Sequence, residues 1–399
     1  MVDFKIPFRI SNAESVPYLV FLLFRPISRL LLDSNLFVLQ ISAMRNAVAG
    51  FLFLLSVVVR GFGQNASEDL VKRAQSGDAG AQFELGRAYE DGKGFPQDDD
   101  SAVMWFRKAA EQGNAKAQSS LGAMCAVGRG VAKDNAEAVR WYKKAAKQGL
   151  PEGMYNVAIS YFNGEGVPAD LNLSYAWMLA AQKYGDTQAD EALKHISDEM
   201  SGHIELGKLK LAEMYERGED LPKDLASAAR IYLEFAHNQD RQSQLVAGAQ
   251  FKMCQMYATG AGVPLDLGEA KSWCKKAGEP PPRSGAPVIQ NALLMLGRIA
   301  EQEKNTAEAE GWYEKAILAR DGRGFLPLAK LKMQEGPRGD RDAYFWLYLA
   351  KEFNVAGSDV QLQQLAARLS ADDIKKQEKG AFQWLEKNAP QKTKGMKRP

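Results

Sequence analysis

The sequence predicts an all-α fold, an α-solenoid of stacked antiparallel helix pairs. Three observations carry this prediction. The stretch 81–113 returns 36 residues later as 117–149, with the same or similar residues along its length. Apolar residues within each copy recur at helical spacing, and a Gly-x-Gly turn separates the two apolar stretches of each copy. Self-similarity at a fixed period is typical of stacked units that contact only their neighbours.

Each copy is predicted to fold as two helices joined by a short loop. In the first copy Leu85 and Tyr89 share a helical face with Gly86, which leaves a space that Phe106 of the second helix can fill. The Gly-x-Gly pair suits a left-handed turn. Asp98 precedes the second helix, where its carboxylate can accept hydrogen bonds from free backbone N–H groups. These residues are interpreted as the framework of the repeat.

The framework gives a motif that can be compared with known repeats. From Ala81 to Gly113 it reads A-x-x-x-L-G-x-x-Y-x-x-G-x-G, then D-x-x-x-A-x-x-W-[FY]-x-x-A-A-x-x-G. This pattern resembles the Sel1-like repeat family, a relative of the tetratricopeptide repeats. The resemblance is specific over residues 78–180 and continues more weakly to about residue 386. It implies an α-solenoid that scaffolds or binds other proteins.

Composition and charge exclude several other classes of protein. The chain has 399 residues, of which 46% are hydrophobic and 25% charged, and its net charge is +2. This is an ordinary globular composition, and so small a net charge predicts no nucleic-acid partner. His195, His203 and His237 are scattered and show no metal-ligand spacing with the cysteines. We therefore expect no cofactor, no metal site and no catalytic residues.

Residues 1–63 differ in pattern from the rest of the chain. The segment 44–63 begins Met-Arg-Asn, continues as an apolar run and ends Gly-Phe-Gly. These features are typical of a secretory signal peptide, and the run is shorter than the roughly 20 residues that a membrane span needs. We predict export to the periplasm or the exterior, with translation beginning at Met44. The alternative is that the N-terminal segment anchors the protein in a membrane.

Residues 64–277 are predicted to hold about five Sel1-like units. A short helix within 65–78 is expected to cap the first unit. The aspartates that precede the second helices of the third and fourth units, Asp170 and Asp224, are 54 residues apart instead of 36. This excess predicts a longer or additional helix near residues 182–200.

Two of the three cysteines occupy positions that face each other in the repeat. In the fifth unit Cys254 replaces the small residue equivalent to Gly86, and Cys274 replaces the aromatic residue equivalent to Phe106. Facing helices can bring two Cα atoms within the roughly 7 Å that a bridge requires, and an exported protein meets an oxidising environment. The sequence thus suggests a Cys254–Cys274 disulfide, with two buried free thiols as the alternative. Cys125 is interpreted as a core residue.

Beyond the fifth unit the pattern becomes less regular. The proline-rich segment 278–288 is predicted to be a linker, because no helix survives such a run. Residues 289–386 are predicted to hold further tetratricopeptide-like or Sel1-like units and closing helices that cover the end of the core. The segment 387–399 is basic and is predicted to be a disordered tail.

A curved stack of helix pairs offers an inner groove lined by the first helix of each unit. The lining positions lie two residues before, and two and five residues after, the position of Leu85. Aromatic residues and arginine are over-represented at binding hot spots. The residues that we expect to contact a partner are Phe83, Arg87, Tyr155, Phe162, Phe251 and Arg298. The alternative for the aromatic residues is that they pack between repeats.

These observations predict a non-catalytic scaffold or adaptor of the cell envelope or the secreted fraction. Its partner is expected to be a protein or peptide held in the inner groove. Some cysteine-rich relatives of the resembled family are associated with β-lactam binding or hydrolysis, which leaves a hydrolase of β-lactam or cell-wall substrates as a second hypothesis. An intracellular or membrane-anchored adaptor is the third.

Overall fold

The computed structural model describes residues 67–200, 204–237, 244–278 and 287–392. The regular secondary structure of this part of the chain is helical, as predicted. None of the helices in these ranges is long and apolar enough to cross a membrane. The predicted signal peptide at 44–63 and residues 279–286 of the predicted linker lie outside the described residues.

The chain divides into two compact units between Lys223 and Asp224. Residues up to Lys223 are called the N-terminal unit, and those from Asp224 onward the C-terminal unit. From the sequence we predict that the linker 278–288 divides the array of repeats. In the structure the two helices on either side of that segment pack directly against each other.

The N-terminal unit stacks helix pairs in chain order, because α2 packs on α3, α4 on α5 and α6 on α7, and neighbouring pairs contact each other. Its helices are α1 (67–75), α2 (Ala79–Asp91), α3 (Asp99–Glu111), α4 (Ala115–Val127), α5 (Asn135–Lys147), α6 (Pro151–Asn163), α7 (Leu171–Lys183), α8 (Ala189–Glu199) and α9 (Glu205–Arg217).

The C-terminal unit contains the pairs α11–α12, α13–α14 and α15–α16, followed by two closing helices. Its helices are α10 (Leu225–Ala236), α11 (Gln244–Thr259), α12 (Leu267–Gly278), α13 (Pro287–Gln302), α14 (Thr306–Leu318), α15 (Phe325–Met333), α16 (Pro337–Glu352), α17 (Ser358–Ala366) and α18 (Ala371–Asn388), with 3-10 turns at Gly322–Gly324 and Pro390–Lys392.

The predicted contact between a glycine and an aromatic ring joins the two helices of the first pair and of the second pair. A Cβ atom on Gly86 would lie 2.6 Å from Cδ1 of Phe106, and one on Gly122 would lie 2.6 Å from Cε1 of Tyr142. Such approaches are far inside van der Waals contact, so only glycine lets the two helices come this close. Phe106 and Tyr142 are completely buried.

Aspartate caps fix the start of the second helices. Oδ1 of Asp98 accepts hydrogen bonds from the backbone N–H groups of Asp100 at 3.1 Å and Ser101 at 3.2 Å. Oδ1 of Asp134 accepts one from Glu137 at 2.8 Å. These bonds satisfy donors that the helix itself cannot pair, as the sequence predicted.

The second glycine of each regular loop packs its helix pair directly against the pair before it. Gly130 has a φ of 61°, in the left-handed region. A Cβ atom at this position would overlap the backbone carbonyl of Asp99, at the start of the preceding second helix. Gly166 meets the carbonyl of Asn135 in the same way, as does Gly262 with its own neighbour in the C-terminal unit. Backbone therefore packs on backbone between consecutive pairs.

Glutamine amides form a buried polar ladder along the N-terminal unit. Nε2 of Gln82 donates to the carbonyl of Ala74 in α1 at 3.1 Å, and its Oε1 accepts from Gln112 at 2.7 Å. Nε2 of Gln118 donates to the carbonyl of Ala110 in α3 at 3.0 Å, and its Oε1 accepts from Gln148 at 2.8 Å. Buried amides are stable only when they are hydrogen-bonded, so the ladder joins each unit to the next. It also ties the predicted capping helix to the first pair.

The excess residues after the third pair form a separate helix. The α8 helix packs on α7, and α9 packs on α7 beyond it. This confirms the additional helix that the spacing of the aspartates predicted near residues 182–200.

At the other end of the chain, helical structure continues into the segment assigned to the tail. There Nζ of Lys392 donates to the carbonyl of Glu352 at 2.9 Å.

Candidate partner-binding site

Two of the predicted partner contacts are buried inside the N-terminal unit. Phe83 is 7% exposed and its ring centroid lies 5.9 Å from that of Phe106, so it belongs to the core of the first pair. Tyr155 is 5% exposed. Their aromatic surface is used in packing within the chain, which is the alternative that the sequence left open.

Two further predicted contacts are partly covered by neighbours that the sequence did not foresee. The Arg87 guanidinium donates to Oδ2 of Asp91, one turn along α2, at 3.2 Å. The Phe162 ring meets the ring of His195 edge-on, with centroids 5.5 Å apart. His195 lies on α8, the inserted helix, and its position could not be derived from the repeat.

Further inner-face positions of α4 and α6 are also withdrawn from solvent. Ser119 is 1% exposed, Ala123 5% and Ala126 3%, and Ile159 is completely buried. A partner that followed the inner face of α4 would find almost no side-chain surface to touch. The regular part of the array is therefore a poor place for a binding site.

In the fifth pair the structure joins Cys254 to Cys274 by a disulfide, with the two Cα atoms 5.2 Å apart. Both residues are completely buried. Cys125 is a buried free thiol, and burial raises the pKa of that thiol to about 11. Phe251 lies on α11 one turn before Cys254 and is half-buried.

Arg298 is exposed and lies in a cleft of the C-terminal unit. The cleft has a volume of about 600 Å³. Its side chains come from α13, α14 and α15, and from the closing helix α17 with the residues that follow it. The lining residues are Arg298, Glu301, Tyr313, Leu326, Pro327, Lys330, Met333, Gln361, Gln364, Leu365 and Arg368.

Charged groups in the cleft differ in whether they have partners. The guanidinium of Arg368 forms an ion pair with the buried carboxylate of Asp340 at 2.6 Å. Arg298 and Lys330 have no carboxylate partner within the described ranges. Burial, the nearby charge of Glu301 and a hydrogen bond to Glu301 raise the pKa of Tyr313, so its phenol stays protonated.

The sequence rule that found Arg298 also applies to the next unit. Counted from Leu328, the positions two before, two after and five after are Leu326, Lys330 and Met333, and all three line the cleft. The repeat pattern thus contained this signal. The contribution of Arg368 follows the closing helix α17, whose position no repeat position predicts.

The described residues contain no group of three or more His, Cys, Asp or Glu side chains placed to hold a metal ion. What the cleft offers is surface: cations, amides and apolar side chains arranged on four elements. Such a surface can bind and orient a ligand.

The pattern of the Sel1 repeat matches six segments, residues 79–114, 115–150, 151–181, 206–240, 247–279 and 292–321. The chain belongs to the Sel1 repeat family. The match confirms the family that the motif indicated and the α-solenoid fold class. Its last segment includes Arg298 and Tyr313, so part of the cleft is built by a recognisable Sel1 repeat.

Two solved structures are similar to this Sel1 repeat protein. One is c5321, described as a protective antigen present in uropathogenic Escherichia coli strains displaying an SLR fold. It is 23% identical, with 84% of this chain and 91% of that one covered, at a TM-score of 0.34. The other is a Sel1 repeat protein from Oxalobacter formigenes, 26% identical, with 63% and 93% covered and a TM-score of 0.30. The comparison with curated proteins found no match.

Proposed function

We propose that this Sel1 repeat protein is a non-catalytic scaffold that holds a segment of a partner protein in the cleft of its C-terminal unit. The open cleft around Arg298 is the observation that carries the proposal. Its volume of about 600 Å³ lies in the range of ligand-binding pockets. Family membership supports the same role, since Sel1 repeats generally mediate protein–protein interactions and are typically non-catalytic.

The proposal includes a location outside the cytoplasm, in the periplasm or the secreted fraction. Two features support it. The segment 44–63 has the pattern of a signal peptide, and the chain carries a disulfide between Cys254 and Cys274, which persists in oxidising compartments. The partner is accordingly a protein of the envelope or the exterior.

Site-specific photo-crosslinking in the native cell tests the scaffold. A photo-reactive amino acid replaces Gln364, which lines the cleft. The matched control replaces Gln383, an exposed glutamine of α18 in the same unit that does not line it. We expect a discrete crosslinked protein with the first variant and none with the second. Equal adducts from both positions, or none from Gln364, would contradict the proposal.

The location is tested by the intact mass of the protein from fractionated cells. We expect the exported fraction to contain a chain that begins near Gln64. Thiol labelling before reduction should modify one cysteine, Cys125, and only after unfolding, because that thiol is buried. A full-length chain with three free thiols in the cytoplasm would overturn the export part and leave the cleft as a candidate site for a cytoplasmic partner.

A further inference from the structure

The cleft of the C-terminal unit has an excess of positive charge. Its lining carries three cations, Arg298, Lys330 and Arg368, against one carboxylate, Glu301. The three cations come from α13, α15 and the segment that follows α17, so they lie on separate elements around the opening. A concave site with low-dielectric walls focuses the field of such charges.

One of these cations is held in place from behind. The side chain of Asp340 is 5% exposed, and its Oδ2 lies 2.6 Å from the guanidinium of Arg368. A buried carboxylate is stable only when it is paired, so Asp340 keeps Arg368 close to α16. Arg368 itself is 59% exposed. The guanidinium is thus oriented without being covered.

The other two cations are available to a ligand. Within the part of the chain that the structure describes, neither Arg298 nor Lys330 has a carboxylate partner. By contrast Lys332, two residues from Lys330, is fully engaged by Glu310 at 2.7 Å and Glu335 at 3.0 Å. The helix α15 therefore presents one satisfied lysine away from the cleft and one unsatisfied lysine towards it.

The lining also includes apolar side chains, beside the amides of Gln361 and Gln364. Leu326, Pro327, Met333 and Leu365 contribute to the same cleft. A phosphate backbone would favour a long basic stripe, whereas this site combines a few cations with an apolar surface and a carboxylate, and the whole chain carries a net charge of only +2. The composition is complementary to a peptide that carries both acidic and apolar side chains.

We infer that the cleft recognises an acidic segment of its partner protein, with carboxylates paired to Arg298, Lys330 and Arg368 and apolar side chains packed on Leu326 and Met333. This inference rests on the proposed function, because it specifies what the scaffold holds. The carboxylates can come from Asp and Glu side chains or from the end of a chain. Both sources present the same group to the cations.

The test is fluorescence anisotropy with the purified full chain and a labelled peptide of alternating Glu and Leu. Three matched peptides replace Glu by Gln, replace Glu by Lys, or carry an amidated instead of a free C-terminus. We expect the Glu peptide to bind, the Gln peptide to bind at least tenfold more weakly, and the Lys peptide not to bind. Affinity should fall as salt rises, because salt screens exposed charges.

Variants assign the binding to the cleft. Lys330→Gln and Arg298→Gln should each weaken the Glu peptide about tenfold, the loss expected for one charged hydrogen bond. Lys330→Arg should keep most of the affinity because the charge remains. Lys375→Gln, which removes the same charge from exposed α18 outside the cleft, should change nothing. Circular dichroism of each variant checks that the fold is intact.

The outcomes separate this inference from the function beneath it. Equal binding of the Glu and Gln peptides that is lost on substitution in the cleft would overturn the acidic preference and leave the scaffold standing. Binding that Lys330→Gln and Lys375→Gln weaken equally would overturn the site. If no peptide binds, the inference is wrong, and the crosslinking at Gln364 decides on the scaffold independently. A loss on amidation alone would identify the chain end as the source of the carboxylate.

Discussion

In the N-terminal unit the inner-face positions of α4 are 1–5% exposed at Ser119, Ala123 and Ala126. In the C-terminal unit the equivalent positions of α13 and α15 include Arg298 and Lys330, which are exposed and line an open cleft. Both units are built from helix pairs of the same ancestry. They differ in which inner-face side chains remain exposed.

The loop of the pair α13–α14 also differs from the regular loops. In the N-terminal unit Gly130 and Gly166 place backbone against backbone between consecutive pairs. The connection between α13 and α14 is shorter and contains no glycine. Its left-handed position is held by Lys304, with a φ of 59°. This loop therefore lacks the glycine contact that Gly262 makes in the preceding pair.

Open surface with exposed cations lies where the repeat departs from its regular form. The regular pairs use their small and aromatic residues on one another. The pair α13–α14 retains the glycine–aromatic contact, since a Cβ atom on Gly297 would lie 2.5 Å from Cε1 of Tyr313. It lacks a loop glycine that packs on the preceding pair, and the closing helix α17 lines a cleft beside it.

The largest effect is expected from a substitution that disrupts the packing of one helix pair on the pair before it. Gly130→Ala should destabilise the N-terminal unit by about 4 kcal/mol, from the cost of a left-handed φ together with the overlap with the carbonyl of Asp99. The control is Gly113→Ala, where φ is 93° and no atom lies within 4 Å. It should cost only about 1–2 kcal/mol. Urea denaturation measures the free energy of unfolding of both variants. Equal losses would show that the contact between consecutive helix pairs contributes nothing.

A second pair of substitutions compares a core residue with a cleft residue. Phe83→Ala should lower the free energy of unfolding by about 3–4 kcal/mol, because Phe83 is buried against Phe106. Arg298→Ala should change it by less than about 0.5 kcal/mol, because Arg298 is exposed. Peptide binding should follow the opposite order once the Phe83 variant is measured well below its melting temperature. A reversed order would return the site to the N-terminal unit.

The third prediction concerns the disulfide of the C-terminal unit, whose loss should destabilise that unit and leave the N-terminal unit unchanged. The disulfide closes a loop between residues 20 apart in sequence, so replacing both cysteines by alanine should cost about 3 kcal/mol on the chain-entropy estimate. Hydrogen exchange should show the loss in α11 and α12 and not in α2 to α7. Replacing Cys254 by glycine and Cys274 by phenylalanine rebuilds the pair seen at Gly86 and Phe106. It should recover part of the stability, and no recovery would argue that the two sites are not equivalent.

Much of the fold could be derived from the sequence because it depends on short-range pattern. The contact of Gly86 with Phe106, the cap at Asp98 and the facing positions of Cys254 and Cys274 all lie within one repeat. The inserted helix α8 followed from the spacing of two aspartates. The family match at residues 79–181 covers the stretch where the motif is most regular.

The site was derived only in part. The rule for inner-groove positions selected six residues, of which one, Arg298, lines the cleft. It ranked Phe83 and Tyr155 with it, although both are buried. Residue type and helical phase are the same for a core aromatic and a contact aromatic. The difference lies in the neighbours, and the neighbour of Phe162 is His195 on a helix outside the repeat.

The helix pairs, their caps and the facing positions of the two cysteines could be derived from the sequence, because each depends on residues within one short repeat. Which inner-face side chains stay exposed could be seen only in the folded chain. It depends on where α17 and the residues after it lie, and no position of the repeat pattern specifies that. Asp340 and Arg368 are 28 residues apart in sequence and form an ion pair at 2.6 Å, because the fold brings the closing segment back against α16.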